Sequence, residues 1–207
     1  MEEGVEIKFN KICESKFGRF ISKNCKVNTD PETTQILSQA QDDSIVLFMK
    51  IIVISDSHNN IENLRHVMGF AQKIKAGAVI HCGDWNTVES IETVLSFGIP
   101  LYSVMGNADI EKGMEEFLIS NSKRFEPNLL QFEIDGRKIA VIHNAKSLEL
   151  RGQSLDIVFS GHYHSKEEKM VNFVKFVRPG VLINGINFAV YETATNEVEF
   201  IEEKPTL

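Results

Sequence analysis

An α/β fold, with two β-sheets sandwiched between helices, is the architecture that this 207-residue sequence predicts, and three observations predict it. Between Met49 and Met105, apolar runs of strand length alternate with stretches of helical period. From Leu129 onward the pattern changes to strand-like runs punctuated by turn residues. Five of the apolar runs end directly in Asp, His or Asn, the arrangement expected of a metal site at the carboxyl edge of a sheet.

Ile51 to Ile54 is a buried strand that breaks into Ser55-Asp56-Ser57-His58. Asn60 then caps a helix whose apolar positions Ile61, Leu64, Met68, Ala71 and Ile74 fall three and four residues apart, and Gly77 ends it. Ala78 to His81 is the second strand and leads through Cys82 into Gly83-Asp84. In the second helix Asn86 and Glu89 stand at capping-box spacing, and Val88, Ile91 and Leu95 form its buried face. Gly98 and Pro100 stop that helix and open a third strand running to Met105 before Gly106-Asn107. This β-α-β-α-β order is the pattern of a parallel sheet with right-handed crossovers.

Glu111 to Ser120 reads as a short helix, and Asp135-Gly136 is a hairpin turn between strands 129–134 and 138–142, the second of which ends in His143. A brief helical stretch around Ser147 to Arg151 precedes the strand from Asp156 to Ser160, which opens into Gly161-His162-Tyr163-His164. Lys169 to Val177, Val181 to Tyr191 and Glu197 to Glu202 then read as strands of an antiparallel second sheet packed on the first.

Residues 1–48 show no sustained period of 2 or 3.6 and are expected to be a poorly patterned extension, of low order or upstream of the true start, with the domain proper at 49–207. At 43% hydrophobic and 25% charged, the composition is that of an ordinary soluble globular chain. A net charge of −7 argues against stable nucleic-acid binding, which rests on a basic surface. There is no signal-peptide pattern and no apolar run long enough to span a membrane. Three cysteines without a C-x-x-C pair suit a reducing compartment, so a cytoplasmic location is expected. A homo-oligomer is compatible with all of this.

The candidate ligands are Asp56, His58, Asp84, Asn107, His143, His162 and His164. Alone, an Asp-x-His or a Gly-Asp is a turn more often than a site; the set at five successive strand ends carries the inference. Two carboxylates, four imidazoles and one amide are more than one ion takes and suit two ions that share a carboxylate. Oxygen and imidazole donors without thiolate select Mn, Fe, Zn, Ni or Co. Two such ions can hold a hydroxide nucleophile and stabilise an in-line displacement at phosphorus. Gly83, Gly106 and Gly161 are each expected to supply a positive φ where a strand turns sharply. His81 is expected behind the candidate ligands or in the core, His66 on a helix surface, and Cys82 as a small buried packing residue.

In this order and spacing, Asp56-x-His58, Gly83-Asp84, Gly106-Asn107, His143 and Gly161-His162-x-His164 resemble the calcineurin-like metallophosphoesterase superfamily, and within it the small prokaryotic YfcE-type phosphodiesterase branch. The resemblance runs from about Met49 to the C-terminus. It implies a four-layer αββα sandwich of two mixed β-sheets flanked by helices, and a dinuclear centre with Mn foremost. One ion would take Asp56, His58, Asp84 and His164. The other would take Asp84, Asn107, His143 and His162, with Asp84 bridging. Asp84, Asn107 and His143 are the implied catalytic residues, and Asn107 also touches the phosphate. The implied activity is a metal-dependent phosphodiesterase acting on small phosphate esters. The alternatives are a non-catalytic metal-binding scaffold of the same fold, as the retromer scaffold subunit is, or a phosphomonoesterase; the acidity of the chain counts against a nuclease.

Four departures from the family pattern stand out. Many members carry Gly-Asn-His-Asp/Glu, whose histidine protonates the leaving oxygen; here Ala108 takes that place, which predicts a bias toward acidic leaving groups or another proton donor. Asn144 follows His143 where Gly is usual and is expected to be left-handed. Tyr163 replaces a common Thr, and Arg178-Pro179-Gly180-Val181 replaces Asn-Pro-Gly-Ser.

Overall fold

A computed structural model describes residues 13–15, 18–20, 48–148 and 154–204. Two units separate along the chain, Met1–Ile45 and Val46–Leu207. In the first, β1 (Cys13–Ser15) and β2 (Gly18–Phe20) pair antiparallel with Cys13 opposite Phe20. The rest of the extension expected over 1–48 lies outside the described residues, up to Val46-Leu47.

In the second unit β3 (Lys50–Ile54) is buried on both faces, because successive strand side chains point to opposite sides. Ile52 and Ile54 join one apolar cluster with the helices, and Ile51 and Val53 join another between the sheets. Helix α1 (Ile61–Lys73) begins as expected, with Asn60 Oδ1 accepting from the Asn63 N–H at 3.0 Å. After β4 (Ala78–His81), α2 (Val88–Leu95) takes its cap from Thr87 rather than Asn86. Asn86 is left-handed at φ 73, and its carboxamide is engaged by His58, so capping passes to the next residue, whose Oγ1 accepts from the Ser90 N–H. Past β5 (Leu101–Ser103), α3 covers Met114–Asn121 and starts later than its pattern suggests. The Glu111 carboxylate is held outside the helix by the Val88 N–H, at 2.7 Å.

β3, β4, β5 and the short β6 (Arg124–Phe125) are parallel neighbours. β7 (Leu129–Ile134) and β8 (Arg137–Ile142) form the expected hairpin, with Asp135 and Gly136 both left-handed at φ 51 and 75. β9 (Ile157–Ser160) lies parallel to β8, and β11 (Val174–Pro179) lies parallel to β9. The second sheet is therefore mixed, not antiparallel, in the order β10-β11-β9-β8-β7. The run Lys169 to Val177 is not one strand: left-handed Asn172 and Phe173 fold it into a hairpin of β10 (Lys166–Val171) and β11.

The last two strands depart furthest from expectation. β12 (Ile186–Glu192) and β13 (Glu197–Glu203) return to the first sheet, whose order is β13-β12-β3-β4-β5-β6. β12 needs cover on both faces, because Phe188 and Val190 pack with the helices while Ala189 and Tyr191 face the second sheet. The place beside β3 supplies that cover. Among the described residues, α1, α2 and α3 pack on the outer face of the first sheet. Over the outer face of the second sheet, Ala145, Leu148 and Leu155 cover Ala140, Ile142 and Val158. Among the described residues that layer holds a 3-10 turn, Ala145–Ser147, and no α-helix; the remainder of the stretch expected at 147–151 lies outside them. No helix among the described residues is long and apolar enough to cross a membrane.

Candidate metal centre

The loops that leave β3 and β4 run side by side. Asp56 N–H donates to Gly83 O, His58 N–H to Asp84 O and Asn59 N–H to Trp85 O, each at 3.0 Å. Five of the seven candidate ligands are left-handed: Asp56 (φ 52), His58 (φ 43), Asp84 (φ 62), His162 (φ 73) and His164 (φ 55). Asp, Asn and His tolerate that region best among non-glycine residues, at a cost of about 1 kcal/mol or more each. Backbone strain concentrated on these residues is what aims their side chains at one another. Of the glycines expected to turn the strands, only Gly83 is itself left-handed, at φ 90. Gly106 and Gly161 are required for close approach: a Cβ on Gly106 would overlap the Asp84 carboxylate, and one on Gly161 would overlap Ser55 Oγ. Asn144 is extended at φ −109, contrary to expectation; its side chain accepts the Lys146 N–H and starts the 3-10 turn.

Donor atoms of Asp56, His58, Asp84 and His164 all lie within 4.8 Å of one another. His58 Nε2 is 3.4 Å from His164 Nε2 and 3.6 Å from Asp84 Oδ2, and His164 Nε2 is 3.3 Å from Asp56 Oδ1. On the other side, Asp84 Oδ1 is 3.5 Å from His143 Nε2. Asn107 Oδ1 lies 3.1 Å from His143 Nε2 and 2.8 Å from His162 Nδ1. All seven sequence-predicted residues thus meet in one place, with Asp84 turning one oxygen toward each group.

This geometry belongs to a recognisable lineage. Residues 49–196 match the calcineurin-like phosphoesterase superfamily domain. The chain belongs to that superfamily. Phosphodiesterase MJ0936 of Methanocaldococcus jannaschii is 26% identical over 138 residues, covering 64% of this chain and 83% of that protein. The solved structure of an archaeal phosphodiesterase superposes with a TM-score of 0.68 at 25% identity, over 75% of this chain and all of the other. YfcE, a phosphoesterase from E. coli, has the same fold, with a TM-score of 0.57 at 14% identity over 74% of this chain and 98% of its own. These likenesses bear out the small phosphodiesterase branch of the calcineurin-like superfamily.

Residues behind the candidate ligands set their states. His143 Nδ1 lies 2.8 Å from the Cys82 carbonyl, which can only accept, so Nδ1 carries the proton and Nε2 presents its lone pair to the site. His58 Nδ1 stands 3.0 Å from Asn86 Oδ1, with the same consequence for its Nε2. Ser55 Oγ donates to Asp56 Oδ2 at 2.5 Å, and the His162 N–H reaches both Asp56 oxygens at 3.2 Å. Burial nevertheless pushes the Asp56 carboxyl above its ordinary range, with Asp84 adding to the effect. Buried carboxylates beside imidazole lone pairs that have fixed tautomers suit divalent cations, whose charge relieves both. His81 is in the core, as expected. Burial holds it well below its ordinary value and therefore neutral; its Nδ1 accepts the Gly83 N–H at 3.1 Å, and its ring stacks on Trp85 at 3.4 Å. His66 pairs with Glu203 on the surface, and Cys82 is fully buried.

One residue that sequence reasoning left without a role ties the two central loops together. Asp109, 7% exposed, accepts four backbone N–H groups: Asp84 and Gly106 on Oδ2 at 3.0 and 2.7 Å, and Trp85 and Asn86 on Oδ1 at 2.6 and 2.8 Å. Its sequence signal is the acidic last position of the Gly-Asn-His-Asp/Glu pattern, which names no role, and a carboxylate in a short polar loop is also what any Asx turn would give.

Proposed function

We propose that residues 49–207 form a phosphodiesterase of small phosphate esters that works with two divalent cations, Mn first among them, in the cytoplasm. The observation that supports this best is the split of the Asp84 carboxylate, with Oδ2 facing His58 and Oδ1 facing His143, as a bridging ligand would be. Asp56, His58, Asp84 and His164 would hold one ion, and Asp84, Asn107, His143 and His162 the other. Bound there, the ions would supply Lewis-acid charge to the phosphoryl oxygens and an activated water. The protein's own groups do the rest. Asn107 turns Oδ1 toward His143 and His162, which leaves its amide N–H pair as a donor for a phosphate oxygen. Ser55 and the His162 N–H keep Asp56 aimed inward. At Ala108 there is no side chain to protonate a leaving oxygen, which favours esters with acidic leaving groups.

The test uses metal-stripped full-length protein resupplied with Mn²⁺, assayed on bis-p-nitrophenyl phosphate and p-nitrophenyl phosphate, with Asp84→Asn in parallel. Mn-dependent diester hydrolysis that collapses in Asp84→Asn is the expected result. Faster turnover of the monoester would instead make the protein a phosphomonoesterase. Ala108 gives the scaffold reading its specific support: no turnover with any divalent metal, despite two ions bound per chain by calorimetry, would favour it.

A further inference from the structure

The loop that carries His162 and His164 also carries Tyr163, a half-exposed ring that neither ligand set uses. The ring meets that of His162 edge-on at 4.8 Å, and its hydroxyl donates to Asn144 Oδ1 at 3.4 Å. Two cations flank the ring: Lys146 Nζ at 4.8 Å from its centroid and Arg178 Cζ at 5.1 Å. Their situations differ. Arg178 is occupied, donating from Nε to Ser165 O at 2.6 Å and from Nη2 to Ser165 Oγ at 3.0 Å, with Glu167 3.6 Å away. It fastens the end of the histidine loop. Lys146 is exposed and has no carboxylate partner among the described residues, in a chain whose net charge is −7.

Asn144 Oδ1 accepts both the Tyr163 hydroxyl and the Lys146 backbone N–H, so lysine backbone and aromatic ring share one anchor beside His143. A cation over an exposed aromatic face gains about 0.5–1 kcal/mol, which restrains an ammonium that otherwise has a large rotamer freedom to lose on binding. Restraint of this kind lowers the entropy lost when the ammonium captures an anion.

We propose that Lys146, positioned by Tyr163, is a specificity-determining group that binds a second anionic substituent, a carboxylate or a phosphate, on the alcohol of the ester. This rests on the phosphoesterase reading above. The substrate class it selects is a phosphodiester with one negative charge at the scissile phosphate and another on the group that extends toward the 3-10 turn.

The test titrates Mn²⁺-loaded full-length protein with phenylphosphonate and with 4-carboxyphenylphosphonate by calorimetry, so that no turnover is needed. The wild type is expected to bind the carboxylated compound about fivefold more tightly. That ratio should shrink as salt is raised to about 0.5 M. It should fall to one in Lys146→Ala, persist in Lys146→Arg and narrow in Tyr163→Ala. Equal affinity for the two compounds in the wild type, or the same ratio in Lys146→Ala, overturns the assignment of Lys146 alone. Failure of phenylphosphonate to bind the Mn²⁺-loaded protein overturns the phosphoesterase reading with it.

Discussion

Replacing Asp109 by Ala removes a single acceptor from four backbone N–H groups, those of Asp84, Trp85, Asn86 and Gly106. An unmatched buried N–H costs about 1–3 kcal/mol. The bonds to Asp84 and Trp85 are buried, and those to Asn86 and Gly106 partly so, which lets water replace the carboxylate at the second pair. The buried pair therefore sets the scale, about 2–6 kcal/mol. Against it stands the cost of burying the charge, which pushes the Asp109 carboxyl above its ordinary range and disappears with the side chain. A net loss of about 3 kcal/mol follows, or about 6–12 °C in Tm for a domain of this size. Asp109→Asn keeps one acceptor oxygen and should lose less. The assay is urea unfolding of the full chain followed by fluorescence of Trp85, the one tryptophan, which is fully buried beside the substituted residue. Mn²⁺ affinity measured in the same preparations should weaken about 10- to 100-fold, because Asp84 loses the contact that places its backbone. A loss below about 1 kcal/mol in Asp109→Ala, with an unchanged urea slope, would refute the anchoring role.

Gly161→Ala places a Cβ into Ser55 Oγ and 2.7 Å from Asp56 Oδ2. Calorimetry should show Mn²⁺ binding weakened at least about tenfold, and wild-type affinity would contradict close approach as the reason for this glycine. His81 has its folded pKa held well below the ordinary 6.5, so its contribution to stability is present above that value and declines as pH falls beneath it. Its ring proton resonances should hold their neutral positions from about pH 8 to about pH 5.5, and a titration midpoint near 6.5 would remove the argument. Burial pushes Tyr191 from 10.0 up to about 12, so its contribution is present below pH 10 and is lost as pH rises through about 12. Tyr191→Phe should flatten the alkaline limb of an unfolding series while costing about 1 kcal/mol at neutral pH through the lost bond to Asn196; an unaltered alkaline limb would count against it.

How far the site was legible depends on the range over which each feature is encoded. The seven candidate ligands stand at strand ends, and strand ends are local: an apolar run, then a polar residue that must leave it. Asn60 and Asp135-Gly136 were equally plain, because a cap and a two-residue turn are decided within a few residues. Gly106 and Gly161 were readable as glycines but not for their reason, since what excludes a side chain there is Asp84 or Ser55 from another loop. Asn144 and Asn86 show the same limit: both have the chemistry of a turn residue or a cap, and the hydrogen bond made by the side chain decided which role each took.

The sequence by itself determined that five strands end in Asp, His or Asn, and with that the candidate donor set and the phosphoesterase class. Only the tertiary structure decided where the last strands go, how Asp109 binds two loops, and which cation beside Tyr163 is free to meet a ligand. The physical reason is that a strand's own pattern states which faces need cover but not which neighbour supplies it. Ala189 finds Val53 across more than half of the chain because both faces of β12 are apolar and the position beside β3 is covered on both sides.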